Sequence, residues 1–158
     1  MFQLNDVKIQ DLPAIRIAAL TPRGDYMHIG ESFGRLMAWA AGKGVVKADV
    51  RTFGIYYDDP SSKPKAELVS EACLEIPAHF TPDGDVQLMH TAGGRSAVFV
   101  FTGPYSDLEK PYHWLYDTWL AQSGEEVRDA PPYEEYLNDA RNTQPQHLKT
   151  AICIPLKG

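Results

Sequence analysis

The sequence predicts an α+β fold made of two pseudo-symmetric strand–helix–strand–strand units. Two observations predict it: amphipathic helical spacing occurs twice, and short matching segments recur about half a chain apart. We expect the units to form an antiparallel sheet with two main helices and a central ligand cleft. We interpret residues 1–158 as a single ligand-binding domain, with the duplicated copies at approximately 1–81 and 86–158.

The two helices are predicted from apolar residues spaced at i, i+3, i+4 and i+7. The first is expected to stop at Gly42 and Gly44, because glycine commonly ends a helix. The second carries Pro111 in its first turn and opens with a possible capping box from Ser106 to Glu109. The apolar faces consist of Ile29, Phe33, Leu36, Met37 and Ala40, and of Tyr112, Leu115, Tyr116, Trp119 and Leu120.

Segments rich in β-branched or aromatic residues predict three strands in each copy. These strands cover 14–20, 52–57 and 68–76, then 96–102, 133–138 and 150–156, and a further strand is expected at 86–90. Matching pairs such as Thr21 with Thr102 and Ile76 with Ile154 lie 78 to 81 residues apart. A period this long indicates a duplicated supersecondary unit rather than a solenoid repeat.

The composition argues against several classes of function. A net charge of −6 without a basic stripe makes direct nucleic-acid binding unfavourable. No apolar run is long enough to span a membrane and the N-terminus lacks a signal-peptide pattern, so we expect a cytoplasmic protein without a membrane partner. Cys73 and Cys153 are interpreted as reduced core residues. The five histidines lack metal-ligand spacing, and no motif indicates a cofactor.

The second copy contains an ordered set of short motifs, of which the strongest is aromatic–Glu–x–Tyr–Leu–Asn at 133–138. The others are Gly93-Gly94-Arg95-Ser96-Ala97-Val98, Gly103-Pro104-Tyr105, the helix at 112–119 and Thr150-Ala151-Ile152-Cys153-Ile154-Pro155. Together they resemble the gyrase-inhibitor-like (GyrI-like) family, which includes free-standing gyrase inhibitors and the effector-binding domains of AraC/Rob-type and multidrug-sensing regulators. The resemblance extends into the first copy through Leu36-Met37-Ala38-Trp39 and 55–60. It implies an aromatic-lined pocket between two halves, in which a carboxylate meets lipophilic, often cationic, ligands.

The family pattern identifies Glu134 as the pocket carboxylate. Strand alternation places Glu134 and Tyr136 on one face and Glu135 on the other. The equivalent positions in the first copy are Gly54 and Tyr56, so the copies differ at the residue expected to be functional. Glu135 stands where the family often has an apolar residue, which indicates either a solvated face or a register shifted by one residue. Because a carboxylate buried among aromatics is costly, the pKa of unliganded Glu134 should be raised.

Aromatic and sulfur-containing side chains are the remaining candidates for ligand binding. Tyr112 and Tyr116 are favoured because they carry hydroxyls, whereas a purely core role is the alternative for each residue on the helical stripes. The full candidate set is Glu134, Tyr136, Tyr56, Tyr112, Tyr116, Phe33, Met37 and Trp119, with no metal ligand.

Three functions are compatible with this sequence. The first is a stand-alone protein that captures hydrophobic or cationic small molecules, since we expect the chain to start at its first strand without room for a helix-turn-helix reader. The second is a hydrolase of cyclopropane-containing genotoxins, a reaction that the resemblance suggests, with Glu134 as general base. The third is a DNA gyrase inhibitor that acts through its surface. The sequence leaves open whether the protein is an enzyme.

Overall fold

The computed structural model describes residues 2–47 and 49–158, and these residues divide into two units. Unit 1 contains residues 2–13 and 92–158, and unit 2 contains residues 14–47 and 49–91. Each unit combines antiparallel strands with one helical segment, which confirms the predicted α+β class.

The elements lie close to their predicted positions. In chain order they are β1 (Lys8–Leu12), β2 (Arg16–Leu20), α1 (Ile29–Lys43), β3 (Thr52–Tyr56), β4 (Ser70–Glu75), β5 (Gln87–His90), β6 (Gly94–Thr102), α2 (Glu109–Trp114), a π-helical turn (Leu115–Trp119), α3 (Leu120–Ser123), β7 (Tyr133–Tyr136) and β8 (Lys149–Pro155). Short 3-10 turns occur at Leu4–Asp6, Tyr26–His28, Lys65–Glu67, Tyr105–Asp107 and Pro145–His147. Each predicted strand is present within two residues of its expected ends.

The strand order within each unit follows from antiparallel pairing. Unit 1 has the order β1-β6-β8-β7, and unit 2 has the order β3-β4-β2-β5. The strand β1 was not predicted, because its residues are mostly exposed and show no apolar alternation. It pairs along β6, from Lys8 opposite Val98 to Leu12 opposite Gly94, so the N-terminal segment belongs to unit 1.

The helix ends match the sequence signals in part. Helix α1 ends at Gly44, whose φ of 71° lies in the left-handed region that glycine adopts without strain, as predicted. Pro111 lies in the first turn of α2, also as predicted. The predicted capping box from Ser106 to Glu109 is wrong, because a 3-10 turn leads directly into α2 and the N-cap, Leu108, has no side-chain hydrogen bond.

A π-helical turn distinguishes the helical segment of unit 1 from α1. In α1 the buried residue Ala40 lies four positions before the terminal Gly44. In unit 1 the buried residue Trp119 lies five positions before the equivalent Gly124, whose φ is 76°. The two helical segments therefore differ by one residue in this spacing, while both end at a left-handed glycine.

Each unit has its own apolar core between its helical segment and one face of its strands. The unit 1 core consists of Val7, Ala97, Phe99, Phe101, Leu115, Trp119, Ile152, Ile154 and Leu156. The unit 2 core consists of Ala18, Leu20, Leu36, Ala40, Leu74, Ile76 and Val86. Cys73 and Cys153 are both free thiols and both buried, as predicted.

Among the described residues, no helix combines the length and apolar character needed to cross a bilayer.

Replacing Leu36 by Ala should lower the free energy of unfolding by about 2–5 kcal/mol, because its side chain is fully buried in the unit 2 core and its loss leaves a cavity. Urea denaturation followed by circular dichroism measures this change. The matched control is Leu88→Ala on β5 in the same unit, where the side chain is 41% exposed. Equal losses in the two variants would contradict the assignment of Leu36 to the core.

Candidate functional site

Glu134 is a buried carboxylate on β7, with 4% of its surface exposed. It pairs across the sheet with Ile152 of β8, and two residues later Tyr136 pairs with Thr150. Because side chains alternate along a strand, Glu134, Tyr136, Ile152 and Thr150 share one face, and Ile152 belongs to the unit 1 core. Glu134 therefore lies on the face that carries the core and the helical segment, and it shares this face with Tyr136, as strand alternation predicted.

Two tyrosine hydroxyls hold the Glu134 carboxylate. Tyr112 of α2 donates a hydrogen bond to Oε2 at 2.7 Å, and Tyr136 donates to Oε1 at 2.9 Å. In the described part of the chain, no Lys, Arg or His side chain forms an ion pair with this carboxylate. Each carboxylate oxygen thus has a neutral donor, but its charge has no basic partner among these residues.

Burial raises the pKa of Glu134 to about 7, although the hydrogen bonds from Tyr112 and Tyr136 favour the ionised form and lower it. Desolvation therefore raises the pKa of Glu134 by more than the two hydrogen bonds lower it. This confirms the expectation of a raised pKa and gives a group that exists in both protonation states near neutral pH. Such a carboxylate can accept a cation or exchange a proton.

Tyr105 is an aromatic neighbour that the candidate set did not include. Its ring packs edge-on against Tyr136 with the ring centroids 5.4 Å apart. Burial raises the pKa of Tyr105, and the negative charges of Glu134 and Asp139 raise it further. The internal repeat could have pointed to Tyr105, because the equivalent residue in unit 2 is also a tyrosine, Tyr26. Tyr26 packs against Tyr56 in the same way, with the ring centroids 4.8 Å apart.

Thr150 is a second residue that was missed. Its Oγ1 is buried and has no hydrogen-bond partner among the described residues. The side chain lies opposite Tyr136 on the face that carries Glu134. No signal in the sequence indicates this, since threonine is common in strands and Thr150 looks like an ordinary strand residue.

The other predicted site residues occupy different positions. Trp119 is buried in the unit 1 core, and Tyr116 on the π turn is partly exposed. In unit 2, Met37 packs against the core and Phe33 is half-buried, while Tyr56 contacts Tyr26. Within unit 1 the structure brings together Glu134, Tyr112 and Tyr136.

Two cavities in unit 2 are lined by other residues. The larger, of about 560 Å³, is lined by Leu20, Thr21, Pro22, Arg23, Ser32, Arg35, Gly84, Asp85 and Gln87. The smaller, of about 170 Å³, lies beside Trp39 and Asp83. Neither contains Glu134, so the aromatic pocket expected around this residue stays a prediction. Within the described ranges, no group of three His, Cys, Asp or Glu side chains is arranged to hold a metal ion.

Comparison with known sequences gives a consistent set of relatives. The model of the GyrI-like small molecule binding domain matches residues 5–157. A probable transcriptional regulator, YgiV of Escherichia coli K12, is 29% identical over 96% of each chain. A DNA gyrase inhibitor of the same organism is 30% identical over 70% of this chain and 71% of its own.

Solved structures show the same fold at lower sequence identity. The C-terminal domain of EcmrR superimposes with a TM-score of 0.82 at 16% identity and 96% coverage of each chain, although this chain covers only 57% of EcmrR in its complex with DNA. A hydrolase from Listeria innocua gives 0.68 at 14% identity, covering 96% of this chain and 91% of that one. SAV2435 bound to tetraphenylphosphonium gives 0.61 at 16% identity, with coverage of 96% and 94%.

The duplicated α+β units, the aromatic–Glu–x–Tyr–Leu–Asn strand and the match over residues 5–157 agree with one another. The chain belongs to the GyrI-like family of small-molecule-binding domains.

Proposed function

We propose that this protein captures lipophilic organic cations, with Glu134 as the group that recognises their charge. The observation that carries the proposal is a buried carboxylate whose hydrogen bonds, among the described residues, come only from tyrosine hydroxyls. A positive charge brought to this position would offset the desolvation cost that raises its pKa. A cationic ligand therefore gains more from the site than a neutral ligand of the same shape.

The aromatic surround favours a ligand with an apolar body. The rings of Tyr112, Tyr136 and Tyr105 lie at or near the carboxylate, and aromatic faces attract cations in addition to burying apolar surface. The tyrosines can also keep donating to the carboxylate while a cation approaches, because each uses a different oxygen. One structural neighbour, SAV2435, has been solved bound to a ligand of this class, tetraphenylphosphonium.

Glu134→Gln should weaken binding of tetraphenylphosphonium by about tenfold or more, because the amide keeps the shape of the carboxyl but lacks its charge. Its oxygen can still accept from one tyrosine hydroxyl, while its NH2 donates to the other. Quenching of tryptophan fluorescence on titration measures the affinity. The matched control is Glu126→Gln at an exposed position of unit 1, which should bind like the wild type. Triphenylphosphine oxide, a neutral probe, should bind equally to the wild type and Glu134→Gln. No saturable binding of the cation to the wild type would overturn the proposal.

Affinity for tetraphenylphosphonium should rise about tenfold between pH 6 and pH 8. The pKa of Glu134 is about 7 without ligand, so the carboxyl is mostly protonated at pH 6 and mostly ionised at pH 8. A cation binds the ionised form, and binding therefore releases a proton below pH 7. Isothermal titration calorimetry in two buffers of different ionisation enthalpy measures both effects. The pH dependence should vanish in Glu134→Gln, and an equal dependence there would assign it to another group.

A hydrolytic reaction is the second candidate, and the raised pKa of Glu134 favours it. A carboxylate with a pKa near 7 has the basicity expected of a general base at neutral pH, and Tyr112 and Tyr136 keep it oriented. The structural neighbour from Listeria innocua is named a hydrolase. In this reaction the ionised Glu134 would take a proton from water while the water oxygen forms a bond to one carbon of a strained cyclopropane ring. The electron pair of the ring bond that breaks would pass to a carbonyl group conjugated to the ring, whose oxygen then takes a proton from solvent.

Turnover of a cyclopropane-containing alkylating compound, followed by mass spectrometry of the ring-opened, hydrated product, tests the second candidate. We expect Glu134→Gln to lose at least about a hundredfold in rate if Glu134 is the base. Binding of the substrate without hydration by the wild type would leave capture as the function. Direct action on gyrase, which the names of several relatives suggest, is tested separately by a supercoiling assay with purified gyrase.

A further inference from the structure

Unit 2 contains a second buried carboxylate, Glu71, on β4. It is 5% exposed and lies opposite Ile55 of β3. Its neighbour in the strand, Ala72, pairs with Gly54, so Glu71 points to the opposite face from Gly54. Leu74, three residues later, belongs to the core shared with α1, which places Glu71 on the face of the strands away from that core.

Two hydroxyls hold the carboxylate of Glu71. Thr21, directly after β2, donates from Oγ1 to Oε2 at 2.6 Å, and Tyr57, directly after β3, donates to Oε1 at 3.4 Å. Among residues 2–47 and 49–158, no Lys, Arg or His pairs with this carboxylate. Among the described residues, the hydrogen bonds to this carboxylate therefore come from two neutral hydroxyls.

The site reaches solvent through its two partners. Thr21 is exposed, and Tyr57 has 42% of its surface exposed. Desolvation and then the charge of Glu71 raise the pKa of Tyr57 to about 12, so its hydroxyl stays protonated and remains a donor. A ligand approaching from solvent would meet an aromatic ring and a hydroxyl before it reached the carboxylate.

The other copy lacks this arrangement. The positions equivalent to Glu71 and Tyr57 in unit 1, 80 residues later, are Ala151 and Leu137. The strand register agrees, because Ile55 pairs with Glu71 and the equivalent Glu135 pairs with Ala151. Unit 1 therefore forms the strand equivalent to β4 with alanine at this position, and its carboxylate on the same face, Glu135, belongs to the neighbouring strand.

We propose that Glu71, Tyr57 and Thr21 form a second binding site, in unit 2, for a small organic cation such as a quaternary or primary ammonium group. The carboxylate supplies one negative charge, the tyrosine ring supplies a face for cation–π attraction, and the threonine hydroxyl borders the entrance. This site is independent of the one proposed at Glu134.

The test uses full-length protein labelled with ¹³C at tyrosine Cζ, titrated with tetramethylammonium chloride at constant ionic strength and observed by NMR. The Tyr57 signal is assigned by its absence in Tyr57→Leu, the residue that unit 1 carries at the equivalent position. It should shift saturably in the wild type and in Glu134→Gln. In Glu71→Ala, which copies Ala151, the apparent affinity should fall about tenfold or more. The neutral probe tert-butanol should cause no saturable shift.

No saturable shift in the wild type, or the same affinity in Glu71→Ala, overturns the second site and leaves Glu71 as a structural anchor for Thr21 and Tyr57. Loss of the response in Glu134→Gln with retention in Glu71→Ala also overturns it, while supporting the site at Glu134. If Glu71→Ala fails to fold by circular dichroism, Tyr57→Leu replaces it. Saturation transfer to the tetramethylammonium methyl protons should then be at least about fivefold weaker from the double variant Tyr57→Leu/Glu134→Gln than from Glu134→Gln, because both proteins lack the site proposed at Glu134.

Discussion

The burial of the Glu134 carboxylate without a basic partner in the described chain is the constraint on which the proposed cation site depends. Folding removes this group from water, and two tyrosine hydroxyls replace part of its hydration. One hydroxyl comes from helix α2 and the other from the same strand, so the site requires the helix to be packed on the sheet. These two hydrogen bonds offset only part of the desolvation cost, and the pKa of Glu134 is therefore raised to about 7.

Much of the arrangement around Glu134 could be predicted from the sequence, because it depends on the regular spacing of side chains along a strand and a helix. Strand alternation alone puts Glu134 and Tyr136 on one face, and helical spacing directs Tyr112 toward the sheet. The strand β1 could not be predicted, since its pairing with β6 joins segments far apart in the chain and leaves no apolar pattern. The capping box failed for a local reason, because a 3-10 turn occupies the residues that should have formed it.

The two copies differ at the carboxylates of both proposed binding sites. Gly54 stands where unit 1 has Glu134, and Ala151 stands where unit 2 has Glu71. The two carboxylates lie on strands that are not equivalent, because Glu134 is on β7, which matches β3, and Glu71 is on β4, which matches β8. Aligning the two copies in the sequence identified the difference at Glu134 but not the one at Glu71. No family motif pointed to Glu71, and an isolated strand glutamate is usually solvated. Burial identifies it only once the strands are paired.

The tyrosine pair shared by both units has diverged in its role. In unit 2 the Tyr26 hydroxyl lies within 3.1 Å of the carbonyl oxygens of Asp58 and Val69 and accepts from the Asp58 N–H, so it ties down the loop after β3. A side chain after the strand closes this loop in both units, because Asn138 accepts from the Lys149 N–H as Asp58 accepts from the Val69 N–H. Among the described residues, Tyr105 forms no hydrogen bond that corresponds to those of Tyr26. Of the two equivalent tyrosines, Tyr26 is therefore anchored by backbone hydrogen bonds as well as by its ring contact with Tyr56, whereas Tyr105 is held by its ring contact with Tyr136.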